Sequence, residues 1–385
     1  MMIEQTHFCF VMPFHMSERS GGAEVQAGLF AKELVRRGHR VTYIAPSVEG
    51  KAGSESTVDG VDVYWISDRK YFDIFNAPAY FRRLLRLRPT VIIQRATSFQ
   101  TGVLSVYKTL TAARFVWICT DDMIPFRWQV TKKTWKALQK NPLAGRITRI
   151  PFLIQAAMTD LFRGFGIRRA DVCFTQNDDQ AKNLRRNFGR SSRRIFPGHE
   201  PIVAPPDLET RWREKTVLWA GNLGSRKRPE LFIDLSAMCH PDIRFRLLGG
   251  RGEREGFRKK LVSAGPNLEW KGHIPFGENL LWFDRASLFV NTTEQGKEGF
   301  PNTFIQAWLR GIPVLSLEVD PDGVIAKNEL GYVTGNLERM KELIEKFLSD
   351  FELYQTFSRR VRAFAEERFL ISRAVDDFMS KLGIS

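Results

Sequence analysis

Short apolar runs of strand length alternate with helical periodicities along almost the whole chain, and few architectures accept that pattern. His7–Met12, Arg40–Ile44, Val61–Trp65, Val91–Gln94, Phe115–Cys119 and Val172–Thr175 read as strands. Between the first two, Ala23–Arg37 repeats at helical spacing and stops at Gly38. Pro197–Asp207 is Pro-rich and aperiodic, the composition of a linker. Beyond it Val217–Ala220, Phe245–Leu248, Leu268–Trp270, Leu288–Asn291 and Val314–Leu317 repeat the alternation, and Asp350–Ile384 is helical by pattern, with Leu353, Phe357, Val361 and Phe364 on one stripe. Strands and helices taken in turn build parallel sheets covered by helices, so two doubly wound α/β domains in series are expected. A length of 385 residues suffices for two cores. Such sheets bind ligands beyond the carboxyl ends of their strands, which places the expected site in a cleft between the domains.

No run approaches the ~20 apolar residues that span a bilayer. Met1–Pro13 reads as a first strand entering a loop, without a basic n-region or cleavage site, so a cytoplasmic location is expected. Cys9, Cys119, Cys173 and Cys239 have neither paired nor metal-type spacing and fit small core residues in a reducing compartment.

Charge is the departure from an ordinary composition: 58 Lys+Arg against 43 Asp+Glu leave +15. The excess is uneven, with sixteen Lys/Arg against four Asp/Glu between Arg127 and Arg194. Trp128, Trp135, Phe152, Leu153, Ile154, Leu161, Phe162 and Phe165 are interleaved with these charges. That mixture suits an anionic membrane surface, such as the inner face of the cell membrane, and equally a solvated basic face over a core. Nucleic acid is not expected as a partner, because no recognised nucleic-acid motif accompanies the charge.

The run Glu298-Gly-Phe-Pro-Asn-Thr-Phe-Ile-Gln306-Ala-Trp-Leu-Arg-Gly-Ile-Pro-Val314 is the most informative for chemistry. A strand leads into a loop with one carboxylate, Pro301 stands where a first helical residue belongs, and Phe304, Ile305, Trp308 and Leu309 repeat at helical spacing up to Gly311. The amides of a helix start attract anions. Glu298 before the helix and Gln306 roughly 12 Å further along its axis suit the two ends of an elongated ligand with a charged middle. A nucleotide sugar has that form.

This segment resembles the Glu-x7-Glu signature of retaining GT-B glycosyltransferases, in particular glycosyltransferase family 4. The resemblance implies two Rossmann-like domains: 1–200 binding the acceptor, 207–370 binding the nucleotide sugar, and 371–385 as a helix crossing back to the first. It gives Glu298 the transferred sugar, places Phe300, Pro301, Asn302 and Thr303 beside the diphosphate, and puts Gln306 on the ribose, where the family has a second Glu. An amide can still accept from one hydroxyl and donate to another.

Trp219-Ala-Gly221-Asn222-Leu-Gly-Ser-Arg226-Lys227 resembles the family's Gly-Arg…Lys segment, with Lys227 on the family lysine, Asn222 in place of its Arg, and Arg226 as a neighbouring cation. Fixed cations stabilise a departing nucleoside diphosphate. Ser20-Gly21-Gly22-Ala23-Glu24, followed by Leu34-Val-Arg-Arg-Gly-His-Arg-Val41, is similar to the family's opening, whose glycine loop lies near donor phosphate and acceptor. Gly250, Arg251, His273 and Ile274 fall in loops that bracket the nucleobase in the family. Where many members carry His-Asp after the fifth strand, this chain has Asp121-Asp122, which either orients sugar and acceptor or caps the next segment. Asp121 is taken as the candidate. His15 and His199 are read as more often structural than reaching the cleft. Asp320-Pro-Asp322-Gly323 mimics a metal motif of the GT-A class but has turn chemistry first, and no metal or other cofactor is expected.

The resemblance therefore implies a metal-independent, retaining hexosyltransferase-type enzyme. It would move a sugar from a nucleotide-diphosphate sugar to a glycan or lipid-linked acceptor in cell-surface polysaccharide or glycolipid synthesis. A nucleotide-sugar-binding subunit without turnover and a GT-B nucleotide-sugar epimerase or hydrolase remain as alternatives.

Overall fold

The computed structural model describes residues 5–19, 21–68, 73–139, 146–202, 207–250, 252 and 255–384. The chain divides into two compact units, residues 1–196 with 375–385, and residues 197–374.

The first unit runs β1 (His7–Val11), α1 (Gly22–Arg36), β2 (Arg40–Ser47), β3 (Glu55–Val58), β4 (Val61–Ser67), α2 (Ala77–Leu87) and β5 (Val91–Gln94). It continues with α3 (Gln100–Leu110), β6 (Arg114–Ile118), α4 (Gln129–Gln139), α5 (Arg146–Arg169), β7 (Val172–Thr175), α6 (Asp178–Phe188) and β8 (Arg193–Arg194). Its sheet has the order β3-β4-β2-β1-β5-β6-β7-β8, parallel except where β3 pairs antiparallel with β4. Cys9, Ile92, Phe115 and Trp117 sit at the centre of the core between sheet and helices. Asn177 caps α6 by accepting from the Gln180 amide, and Gly189 ends it in the left-handed region.

The second unit runs α7 (Leu208–Arg213), β9 (Thr216–Ala220), α8 (Pro229–Met238), β10 (Arg244–Leu248), α9 (Glu255–Val262), β11 (Leu268–Trp270), α10 (Phe276–Arg285) and β12 (Leu288–Asn291). Then come α11 (Asn302–Leu309), β13 (Val314–Ser316), α12 (Val324–Lys327), β14 (Gly331–Val333), α13 (Leu337–Ser349) and α14 (Phe351–Arg368), while α15 (Ile371–Leu382) begins in this unit and from Val375 belongs to the first. All six strands are parallel, in the order β11-β10-β9-β12-β13-β14. Both units are thus α/β with parallel sheets, as the alternation predicts.

Three strands escape the sequence pattern. β3 is a polar edge strand with no continuous apolar face, β8 has two residues, and β14 has three. The C-terminal helical stretch is two helices, broken where Leu370 bridges to His199. The buried stripe of α14 is Tyr354, Phe357, Ser358, Val361 and Ala365, so Leu353 and Phe364 flank it rather than form it. Residues 375–385 of the final segment pack in the first unit, where Phe378 meets Phe30 edge-on at 5.8 Å and Asp376 pairs with Arg37 at 2.6 Å.

Candidate functional site

In the second unit the strand order reverses between β9 and β12, parallel neighbours with Leu288 opposite Val217. The loops leaving their carboxyl ends diverge to opposite faces of the sheet, which opens a crevice at that edge. Gly221 to Arg228 fills the first loop and Thr292 to Pro301 the second.

The two loops are tied together mainly through backbone. Thr292 Oγ1 donates to the Lys227 carbonyl at 2.6 Å and itself accepts from Trp219 Nε1 at 2.9 Å. The Glu294 amide donates to the Arg226 carbonyl at 2.9 Å. Arg228 adopts a left-handed conformation (φ 46°) and sends its guanidinium to the Thr292 and Thr293 carbonyls and to Glu318 at 2.7 Å. That contact holds the Glu318 carboxyl below its ordinary pKa. Of the three successive cations, Arg228 is therefore structural.

Lys227 instead crosses the crevice. Its Nζ lies 2.5 Å from both carboxylate oxygens of Glu298, and both side chains are partly shielded, at 17% and 22% exposure. Arg226 is exposed beside them and reaches the Lys297 carbonyl at 3.3 Å. Two cations and one carboxylate in a crevice at strand ends favour an anionic ligand with a polar, neutral extension.

α11 starts at the rim of this crevice. Pro301 is its N-cap rather than its first helical residue, with Asn302 and Thr303 opening the helix. Phe300 turns inward to meet Trp308 edge-on at 6.3 Å and Phe369 at a tilt at 5.2 Å, so its side chain anchors the loop and only its backbone is left beside the expected phosphates. Gln306 is 4% exposed, and its Oε1 has no partner among the described residues. A buried acceptor in that state has a hydrogen bond still to make.

The loops after β10 and β11 close the other side. A Cβ on Gly249 would lie 2.1 Å from the Gly221 carbonyl oxygen, so only glycine permits that approach. Gly250 abuts His273, which is exposed, and Ile274 follows half-buried. Asn222 is exposed near the start of the first loop. Arg251 lies outside the described residues. The structure thus gathers Lys227, Glu298 and Arg226 at one point, with Gly221, Gly249, Gly250 and His273 forming a contiguous wall.

The first unit supplies the remaining candidates. Gly21 is the N-cap of α1 and Gly22 its first residue. The Glu24 carboxylate folds back over this end, within 2.5 Å of where a Cβ on Gly21 would stand. Asp121 accepts from the Met123 amide at 2.8 Å, as a turn-capping residue does. Its neighbour Asp122 is the buried one, accepting from Asn177 Nδ2 at 2.7 Å and Gln180 Nε2 at 3.0 Å. Burial pushes the Asp122 carboxyl up to about 6 against the pull of those two donors.

His15 and His199 are both buried. His15 is held by Ser17 and by ring contacts with Tyr43 and Trp65, and burial lowers it to about 4. His199 bridges to Leu370 and packs on Phe276. Asp320 accepts from the Ile325 and Ala326 amides at 2.8 and 3.2 Å, so the Asp-Pro-Asp-Gly run is a turn leading into α12. Gln94 and Arg95 went unread in the sequence. Both are buried at the end of β5 with side-chain nitrogens that have no partner among the described residues. Polar residues ending an apolar strand carry no local signal that distinguishes them from a solvated loop.

Residues 21–198 match the family described as glycosyl transferase 4-like domain, and residues 205–364 match glycosyl transferases group 1. The O-antigen biosynthesis glycosyltransferase WbnH of Escherichia coli is 23% identical over 322 residues, 81% of this chain and 82% of that protein. Anabaena Alr3699/HepE, whose crystal structure holds UDP and glucose, superposes with a TM-score of 0.68 at 14% identity, covering 98% of this chain and 100% of that one. The catalytic domain of starch synthase IV from Arabidopsis thaliana, bound to ADP and acarbose, gives 0.65 at 14% identity over 97% and 100%.

Proposed function

We propose that this chain, a glycosyltransferase of the GT-B fold whose two domains both belong to glycosyltransferase families, transfers a sugar with retention from a nucleoside-diphosphate sugar. The acceptor is a glycan or a lipid-linked precursor of a cell-surface polysaccharide, in keeping with an O-antigen enzyme among its relatives. The observation that carries the reading is the Lys227–Glu298 pair at the β9/β12 crossover, with Arg226 alongside.

In this reading the diphosphate lies against Lys227, Arg226 and the amides at the start of α11, which stabilise the charge that builds on the leaving phosphate. Glu298, released from Lys227 by the phosphates, turns to the hydroxyls of the donor sugar. Gln306 Oε1 takes a hydrogen bond from the ribose. The acceptor hydroxyl attacks the anomeric carbon on the face from which the diphosphate leaves. As the carbon–phosphate-oxygen bond breaks and the new glycosidic bond forms, the hydroxyl proton passes to the leaving oxygen. The products are the nucleoside diphosphate and a glycoside of unchanged anomeric configuration. The fixed cations supply the charge such a leaving group needs, and metal-independent turnover is part of the proposal. The relatives favour transfer over a binding subunit or an epimerase.

Thermal unfolding against UDP-, GDP-, ADP- and TDP-sugars identifies the donor, since a ligand that binds only the folded chain raises its melting temperature. UDP- and ADP-sugars come first, because the structural neighbours hold those nucleotides. With the donor in hand, Lys227→Ala and Glu298→Ala should each lower transfer by at least about 10²-fold in a folded protein. Unchanged turnover in both would overturn the assignment.

A further inference from the structure

Among the described residues, nine of the seventeen large hydrophobic side chains left exposed fall between Trp128 and Phe165, on α4 and α5 and the turn before them. These helices form a hairpin fastened at one end. Asp160 on α5 accepts from the Val130 and Thr131 amides at 3.3 and 2.9 Å, capping the start of α4. Arg163 pairs with Asp160 at 2.6 Å and donates to the Ile124 and Phe126 carbonyls. On its inner side α5 lies so close to α3 that a Cβ on Gly166 would be 2.1 Å from the Thr101 carbonyl oxygen. The hairpin is therefore seated on the first unit, and its inner face is accounted for.

Its outer face is not. Ile150, Ile154, Met158, Leu161 and Phe165 are all exposed, and their spacing of four, four, three and four keeps them on one side of the helix over roughly 22 Å. Trp135 on α4 and Trp128 just before it are half exposed. Lys132, Lys133 and Lys136 on α4 are exposed and have no carboxylate partner among the described residues. Arg169 lies over the Phe165 ring at 4.6 Å. The one acid between residues 127 and 170 is Asp160, which is buried and already neutralised. An apolar ridge bordered by unpaired cations, with no outward acid, complements a surface that offers hydrocarbon beneath negative charge.

We infer that the α4–α5 hairpin docks on an anionic lipid surface, with the Ile154–Leu161–Phe165 ridge in the acyl boundary and the α4 lysines among the headgroups. Docking there would bring the enzyme to an acceptor carried by lipid. That last step rests on the transferase reading, whereas the docking itself does not.

The test is co-sedimentation of the full-length protein with vesicles of phosphatidylcholine containing about one third phosphatidylglycerol, at about 50 and about 500 mM salt. Binding is expected at low salt, weaker at high salt, and at least tenfold weaker for the Ile154→Ser/Leu161→Ser/Phe165→Ser variant with an unchanged melting temperature. Lys132→Glu/Lys133→Glu/Lys136→Glu should also lose binding, without touching the apolar ridge. Absence of binding at low salt overturns the inference. So does a variant of the ridge that binds like wild type, or a wild-type dimer in solution that the ridge variant dissolves, since the face would then belong to a second copy. Transfer to a soluble acceptor is assayed separately, so failure of docking and failure of the transferase reading are distinguishable.

Discussion

Lys227 Nζ contacts both oxygens of Glu298 across 71 residues of sequence, so the cation proposed for the phosphates and the carboxylate proposed for the sugar neutralise each other in this structure. A diphosphate entering the crevice has to draw the lysine away from its carboxylate. Donor binding is thus an exchange of ion pairs, and the carboxylate it frees is the group that meets the sugar.

Substitutions at the pair should split accordingly. Glu298→Gln leaves Lys227 without a competing charge, so the free nucleoside diphosphate should bind more tightly while transfer falls. Lys227→Ala should weaken the nucleotide and lower kcat by about 10²–10³-fold, the scale for losing a preorganised charge stabiliser. Titration calorimetry with the nucleotide, together with steady-state kinetics, checks both signs. Weaker nucleotide binding in Glu298→Gln would show that the carboxylate does not compete.

Gln306 has an orphaned Oε1 in a buried setting. Gln306→Leu removes that acceptor at nearly constant volume, so the fold should melt at an equal or higher temperature. The donor KM should rise about tenfold, the worth of one hydrogen bond to a ribose hydroxyl. An unchanged KM would place the ribose elsewhere.

Arg95 is fully buried over the Phe30 ring at 5.3 Å, and burial pushes its guanidinium down to about 9. Its three nitrogens have no partner among the described residues. At neutral pH the folded chain bears the whole desolvation cost of this cation, which is relieved only as pH rises above about 9. Arg95→Met keeps the bulk and removes the charge, and should stabilise the protein by about 1–4 kcal/mol in chemical denaturation. Destabilisation would mean that the guanidinium has found a partner.

Asp122 gives a pH signature of the same kind with an acid. Folding raises its pKa to about 6, so the folded chain holds the proton more tightly than the unfolded one. Its contribution to stability therefore falls as pH rises from about 4 to about 6, and the loss is complete above that. Asp122→Asn cannot titrate and still accepts from Asn177 and Gln180. Its stability relative to wild type should grow across that window by on the order of 3 kcal/mol, read from melting curves at several pH values. A constant difference would refute the burial argument.

Much of the architecture was legible in the chain. Short apolar runs marked eleven of the fourteen strands among the described residues, because a strand buried in a parallel sheet is apolar along most of its length. Chemistry was legible where residue type and position coincide, as with a carboxylate before a helix start or lysines after a strand. β3, β8 and β14 were not: β3 is a polar edge strand, β8 has two residues, and β14 is a Gly-Tyr-Val stretch with no apolar run.

Sequence by itself determined the alternation of most strands with helices, that there are two α/β units, and that Lys227 and Glu298 each follow a strand. Only the tertiary structure decided that β9 and β12 are neighbours, which turns two separate loops into one crevice. It also decided that Arg228 braces that crevice while Lys227 spans it, that Asp122 is buried while Asp121 caps a turn, and that the apolar ridge of α5 faces outward. The reason is common to all of these. Periodicity records that a face is apolar or that a residue is charged, whereas its covering or its partner is chosen by contacts between segments far apart in the chain.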